Sequence, residues 1–326
     1  MLDLFPHIEP YEYGLLDVDN IHKIYWEKLG NKKGVPVLVL HGGPGAGGNI
    51  ELRRFFDPEY YNIIIFDQRG AGRSLPAACI DNNTTQDLIK DIEKLRMFFK
   101  IDRWIIFGGS WGSSLSLAYS QEYPDNVLSI VLRGVFLCRK KEITWFLHGI
   151  KNIFPEYWDR FNSFLPKSER KELLSSYYNR LISTDPKING EAAVSWARYE
   201  ANCSTLLPNA SVSEEFLNVQ MALNLARIEA HYFLNNLFLK EGQLLKNIPK
   251  IKNIRGHIIQ GRYDAICPPE SAYDLSSAWP NATLKIIEQA GHSALETPIQ
   301  KALLETMEEI KKNILINKYN MKKLYL

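Results

Sequence analysis

Apolar residues in this chain gather into short unbroken runs, and the runs alternate with stretches in which apolar positions recur three or four apart. The runs are Val35–Leu40, Tyr61–Phe66, 104–107, 127–133, 254–260 and 283–287, and each reads as a strand, 104–107 as a buried parallel one. Two mixed segments between positions 11 and 29 read as an antiparallel pair ahead of them. Leu88, Ile92, Leu95 and Phe99 share one stripe and predict a helix over 84–99, with Thr84 as its N-cap. Residues 113–122 offer Leu115, Leu117, Ala118 and Tyr119 as a helical face, and two more helices are expected over 269–278 and 298–314. Strands alternating with helices imply an α/β fold with a mostly parallel central sheet and helices on both faces. After Arg139 only helical periodicity remains, interrupted by Pro155, Pro166, Pro186 and Pro208. The expected division is a core made of residues 1–138 and 247–326, with a helical cap, 139–246, inserted after the sixth strand. The basic end, 318–326, is expected to be solvated or frayed.

Composition narrows the partners. A chain of 326 residues with 45% hydrophobic content can bury a large core. Its 39 basic and 37 acidic side chains are interspersed and leave a net charge of +2, which makes no footprint for nucleic acid or a membrane surface. The amino-terminal residues carry no basic segment ahead of an apolar stretch, and no run approaches the roughly 18 apolar residues of a membrane span. A cytoplasmic location is expected. Cys79, Cys138, Cys203 and Cys267 lack C-x-x-C spacing, which argues against a zinc site or a disulfide framework. The Asn-x-Thr triplets at 82–84 and 281–283 read as chance, and nothing in the pattern points to a particular oligomeric state.

The chemistry concentrates at Gly108-Gly109-Ser110-Trp111-Gly112, a G-x-S-x-G between an apolar strand and a helix. Such a turn lifts a serine hydroxyl to the top of a sheet, beside the free N–H groups of the following helix. A serine nucleophile needs a general base and a carboxylate to orient it. Of the histidines that follow Ser110, His148 and His231 fall in the helical stretch and His257 inside a strand, where a half-buried position is expected. His292, after the last strand, is the candidate base. Asp264, in the loop after the preceding strand, is the candidate acid. Its rival, Asp67, also ends a strand but precedes the serine, and with Arg69 it reads as a structural tie. His41-Gly42-Gly43-Pro44-Gly45 follows a strand and lets backbone N–H groups approach a carbonyl. The N–H groups of Gly43 and Trp111 would form an oxyanion hole. No Lys-Ser/Thr pair follows these glycines, so they are not a phosphate loop. The mechanism needs no metal and no organic cofactor.

Three segments, His41-Gly42-Gly43-Pro44-Gly45, Asp67-Gln68-Arg69-Gly70-Ala71-Gly72-Arg73-Ser74 and Gly108-Gly109-Ser110-Trp111-Gly112-Ser113, together resemble the prolyl aminopeptidases (proline iminopeptidases) of the α/β-hydrolase fold. The likeness continues through Val131-Leu132-Arg133-Gly134-Val135-Phe136 and Gly261-Arg262-Tyr263-Asp264 and covers nearly the whole chain. It implies a serine aminopeptidase that takes short peptides with a free amino-terminal proline and passes through a prolyl-enzyme ester. It also implies that Glu200 and Glu229, which composition alone would leave as solvated helix residues, bind the imino nitrogen; two neighbouring carboxylates repel each other, so one is expected to stay protonated until a cation arrives unless Arg133 neutralises part of their charge. Phe136 and Phe233 correspond to the slot for the proline ring. Where family members often carry a tyrosine, this chain has Phe146, one hydroxyl fewer. An esterase or amidase of the same fold is the alternative, and a non-enzymatic binding relative a remoter one.

Overall fold

A computed structural model describes residues 3–208 and 218–324, with side chains up to residue 316. Eight strands of the described residues form one sheet: β1 Glu12–Asp17, β2 Lys23–Gly30, β3 Val35–Leu40, β4 Tyr61–Phe66, β5 Trp104–Ser110, β6 Val127–Val135, β7 Arg255–Gly261 and β8 Ala282–Ile287. Their spatial order is β1-β2-β4-β3-β5-β6-β7-β8. The β1–β2 and β2–β4 pairs are antiparallel, and every later pair is parallel. From β3 the chain proceeds first to β4 on one side and later to β5 on the other. The loops after β3 and β5 therefore diverge at their carboxyl ends and leave a crevice there.

Alternation along the central strands feeds two cores. Leu38, Ile64, Ile106 and Leu132 pack on one face with Leu88, Ile92 and Leu95 of α1 (Thr85–Phe98), with α2 (Trp111–Glu122) and with Leu275 of α9 (Pro269–Ala278). Val37, Val39, Ile65 and Val131 pack on the other with Ile299, Leu303 and Met307 of α10 (Thr297–Leu324). Thr84 caps α1, its side chain accepting from the N–H of Asp87. The α2 helix is buried on nearly every side rather than on one face, because it is wedged between β5, β6 and α1 and the chain that leads into β7. His257 is fully buried in β7, not half-buried, since both faces of that strand are covered.

Between β6 and β7 the described residues form only helices and turns. The principal helices are α3 Lys140–Thr144, α4 Pro155–Ser163, α5 Leu173–Leu181, α6 Pro186–Cys203, α7 Val219–Leu234 and α8 Gln243–Lys246. Pro155 and Pro186 begin helices instead of breaking them, because a first-turn proline forfeits only an N–H that has no helical partner. The last helix runs to Leu324, past the expected end at 314. The side chains of the basic end, expected to be solvated, lie outside the described residues. No helix among the described residues is long and apolar enough to cross a membrane.

Candidate active site

β5 ends on Ser110, whose backbone sits at φ 58° and ψ −129°. A non-glycine residue held there is strained, and the surrounding packing must impose it. Glycine on either side makes that possible. A Cβ on Gly108 would lie 2.2 Å from the carbonyl oxygen of Gly112, and one on Gly112 would lie 2.2 Å from that of Leu40. The first turn of α2 also fixes the neighbouring strand end. Ser113 Oγ donates to the Ser110 carbonyl (2.7 Å) and accepts the Phe136 N–H (3.0 Å).

The loops after β7 and β8 bring Asp264 and His292 together, with His292 Nδ1 2.8 Å from Asp264 Oδ2. The Cys267 N–H donates to Asp264 Oδ1 (2.7 Å), and Gln260 Nε2 donates to Oδ2 (3.0 Å). Gln260 Oε1 in turn accepts the Val135 N–H (2.9 Å). Gly134, at φ 56°, lies flat against the imidazole, and a Cβ there would come within 2.9 Å of His292 Cε1. Arg133 Nη1 donates to both His292 Nε2 (3.1 Å) and the His292 carbonyl (2.8 Å). These contacts fit a neutral ring with its proton on Nδ1, toward the carboxylate. No hydrogen bond joins Ser110 to His292 among the described residues, because the guanidinium holds Nε2. Burial pushes the Arg133 pKa down against the pull of the Asp264 charge.

The loop after β3 lies over the serine, so close that a Cβ on Gly42 would be 3.2 Å from Ser110 Cβ. Gln68 joins this loop to the elbow. Its side-chain amide donates to the His41 carbonyl (3.0 Å) and accepts the Trp111 indole N–H (2.8 Å), while its backbone N–H donates to His41 Nε2 (2.9 Å). His41, two residues before Gly43, and Trp111 are thereby held at opposite ends of one buried network. Asp67 accepts from the Gly48 N–H (2.7 Å) and from Arg73 Nε (2.7 Å), so it anchors the loop and is not the partner of His292. Arg69 pairs with Asp91 and Asp19.

Two helices of the insertion complete the site through residues four apart, which share a helix face. On α7, Leu225 touches the Gly43 turn, Glu229 follows, and then Phe233, whose ring centroid lies 6.3 Å from that of Phe136 and 5.5 Å from that of Phe146. On α6 the sequence is Trp196, then Glu200, with Ser204 just past its end. Trp196 Nε1 donates to Glu229 Oε2 (2.7 Å), and the Glu200 and Glu229 carboxyls hydrogen-bond each other. Burial raises the Glu200 pKa to about 7. Burial, with the Glu200 charge added, pushes Glu229 well above the carboxylate range. Glu200 Oε2 is buried with no hydrogen-bond partner, which is costly for a polar atom. Arg133 forms no ion pair with either glutamate; its guanidinium turns toward the His292 loop instead. Where the pattern alone suggested solvated residues, Glu229 is fully buried. Among the described residues no group of three or more His, Cys, Asp or Glu is placed to hold a metal ion.

Gln68, Gln260 and Gly134 contribute to this geometry and were not singled out by the sequence. A neutral amide leaves no charge pattern to notice. Gln68, inside the Asp-Gln-Arg-Gly segment, and Gly134, inside Val131-Leu132-Arg133-Gly134-Val135-Phe136, had only the surrounding motif to mark them.

The α/β-hydrolase fold family matches residues 35–298. A proline iminopeptidase of Arabidopsis thaliana is 49% identical over 311 residues, 94% of this chain and 82% of that protein. One from Xylella fastidiosa is 48% identical over 298 residues, 91% of this chain and 95% of its own length. Among solved structures, an esterase from Exiguobacterium antarcticum superposes with a TM-score of 0.63 at 20% identity, over 89% of this chain and 96% of its own. At that identity it speaks to the fold alone.

Proposed function

The chain belongs to the proline iminopeptidase family of the α/β-hydrolase fold, and we propose that it releases an amino-terminal proline from short peptides by the following route. Ser110 gives its proton to His292 Nε2 and attacks the carbonyl of the first residue. Arg133 yields that nitrogen and keeps the His292 carbonyl. Asp264 holds the imidazole in the required tautomer and stabilises the imidazolium. The N–H groups of Gly43 and Trp111 bind the oxyanion, where one donor is typically worth about 10²–10³ in kcat. The C–N bond then breaks, His292 protonates the departing amine, and water hydrolyses the prolyl ester by the same route in reverse. Glu200 and Glu229 hold the substrate ammonium, and Phe136 and Phe233 flank the ring.

We take residues 1–138 and 247–326 as the catalytic core and 139–246 as the cap that reads the amine. Four free cysteines suit a reducing cytoplasm.

The observation that supports the peptidase reading most is the buried Glu200–Glu229 pair, for which an esterase of neutral acyl groups has no use. The test is kcat/KM on Pro-, Ala-, Leu- and N-acetyl-Pro-naphthylamide beside p-nitrophenyl acetate, with Ser110→Ala as control. Preference for free Pro, lost on acetylation, is expected, together with a folded but inactive Ser110→Ala. Ester cleavage without aminoacyl preference would return the chain to the esterases.

A further inference from the structure

We propose that Glu296 is a positioning residue for the base, clamping the loop that carries His292 to the end of α6. The placement of His292 then depends on the same helix that carries Glu200. The inference rests on the serine-hydrolase reading of Ser110 and His292.

α6 ends at Cys203, and the next residue turns its backbone toward the triad. The Ser204 carbonyl accepts the N–H of both His292 (3.1 Å) and Ser293 (2.9 Å). Ser204 Oγ donates back to the Glu200 carbonyl (2.8 Å), so the amine-reading carboxylate and the base loop are one helical turn apart along a bonded path. Glu296 closes the junction. Its Oε1 accepts the Leu206 N–H from the insertion (2.9 Å) and its Oε2 accepts the Gly291 N–H from the His292 loop (2.9 Å). A carboxylate is the one side-chain group that can accept at two oxygens at once; a glutamine would turn an N–H toward an N–H at one of them. Nor is there slack between the two segments. A Cβ on Gly291 would fall 2.8 Å from the Leu206 nitrogen and 3.2 Å from Glu296 Oε2. Glu296 makes no ion pair among the described residues. Its bonds to Leu206 and Gly291 tie one backbone to the other, at the residue next to the base.

A base displaced by a fraction of an ångström loses rate without losing substrate affinity. Glu296→Ala and Glu296→Gln should each lower kcat by roughly ten- to a hundred-fold, on both Pro-naphthylamide and p-nitrophenyl acetate, with KM for the prolyl substrate nearly unchanged. Gly291→Ala keeps the Glu296 carboxylate but wedges a methyl group into the same junction, and should reproduce that split. The assays are run below the melting temperature of each variant, read by circular dichroism. Wild-type kcat in folded Glu296→Ala would overturn the proposal, and so would a loss confined to KM. The two substrates keep the failures apart. If the wild type cleaved only the ester, the peptidase reading would fall while the clamp remained testable on that ester. If Ser110→Ala kept its activity, the clamp would fall with the mechanism.

Discussion

At Glu200 and Glu229 two carboxyls stand within hydrogen-bond reach of each other, and burial raises the pKa of both. In the proposed mechanism a substrate ammonium held there would take the place of a proton on the pair. Since Glu200 titrates at about 7, KM for Pro-naphthylamide should fall as pH rises through that value, and the limb should vanish in Glu200→Gln. p-Nitrophenyl acetate, which has no amine, should show no such limb in KM; finding one would assign it to another group. Stability runs the opposite way. Between the ordinary carboxyl range and about 7 the folded protein keeps a proton that the unfolded chain has lost, so the unfolded state binds fewer protons and stability declines as pH rises. The melting temperature of Glu200→Gln should decline less over that window than that of the wild type.

Among the elements, the contact that decides most is the one between the loop after β3 and the first turn of α2. Each supplies one proposed oxyanion donor, and neither helix nor strand connects them directly. Gln68 does so from a third loop. Gln68→Met keeps the volume but leaves the His41 carbonyl and the Trp111 indole unpaired in a buried place, a loss of about 1–3 kcal/mol. We expect kcat on Pro-naphthylamide to drop about ten-fold or more with KM little changed. Trp111→Phe removes the same bond from the other end, so the double variant should lose less than the sum of the singles. Additive losses in that cycle would show that the two residues act separately. The elbow itself tolerates less. Alanine at Gly108 or Gly112 meets backbone oxygen rather than a movable side chain, and chemical denaturation should show a destabilisation of about 1–3 kcal/mol or more.

Over the whole molecule, the sheet sets the serine in its crevice and the helices between β6 and β7 close over it. Ser110 is left 8% exposed and Glu229 3%. With α7 against the Gly43 turn, a Cβ on Gly45 would lie 2.5 Å from the Asn224 carbonyl. Short peptides that begin with proline should therefore be cleaved far faster than a folded protein with the same first residue. Mass spectrometry of both substrates in one incubation checks this, and comparable rates would show that the insertion does not limit access.

Periodicity in the sequence determined the order of strands and helices, since a strand buried on both faces and a one-sided helix leave different apolar spacings. The strand-turn-helix setting of Ser110 and the loop positions of Asp264 and His292 could be read in the same way, because each follows a run that had to be a strand. What only the tertiary structure decided are relations between residues far apart in the chain. Arg133 lies on His292 and not on the glutamates. Glu229 is buried by Trp196 from another helix, and Gln68 and Glu296 each join loops that local pattern cannot relate. The physical reason is range. Backbone propensity and apolar spacing act over a few residues, whereas a buried hydrogen bond is placed by whichever segments the sheet and its helical insertion bring together.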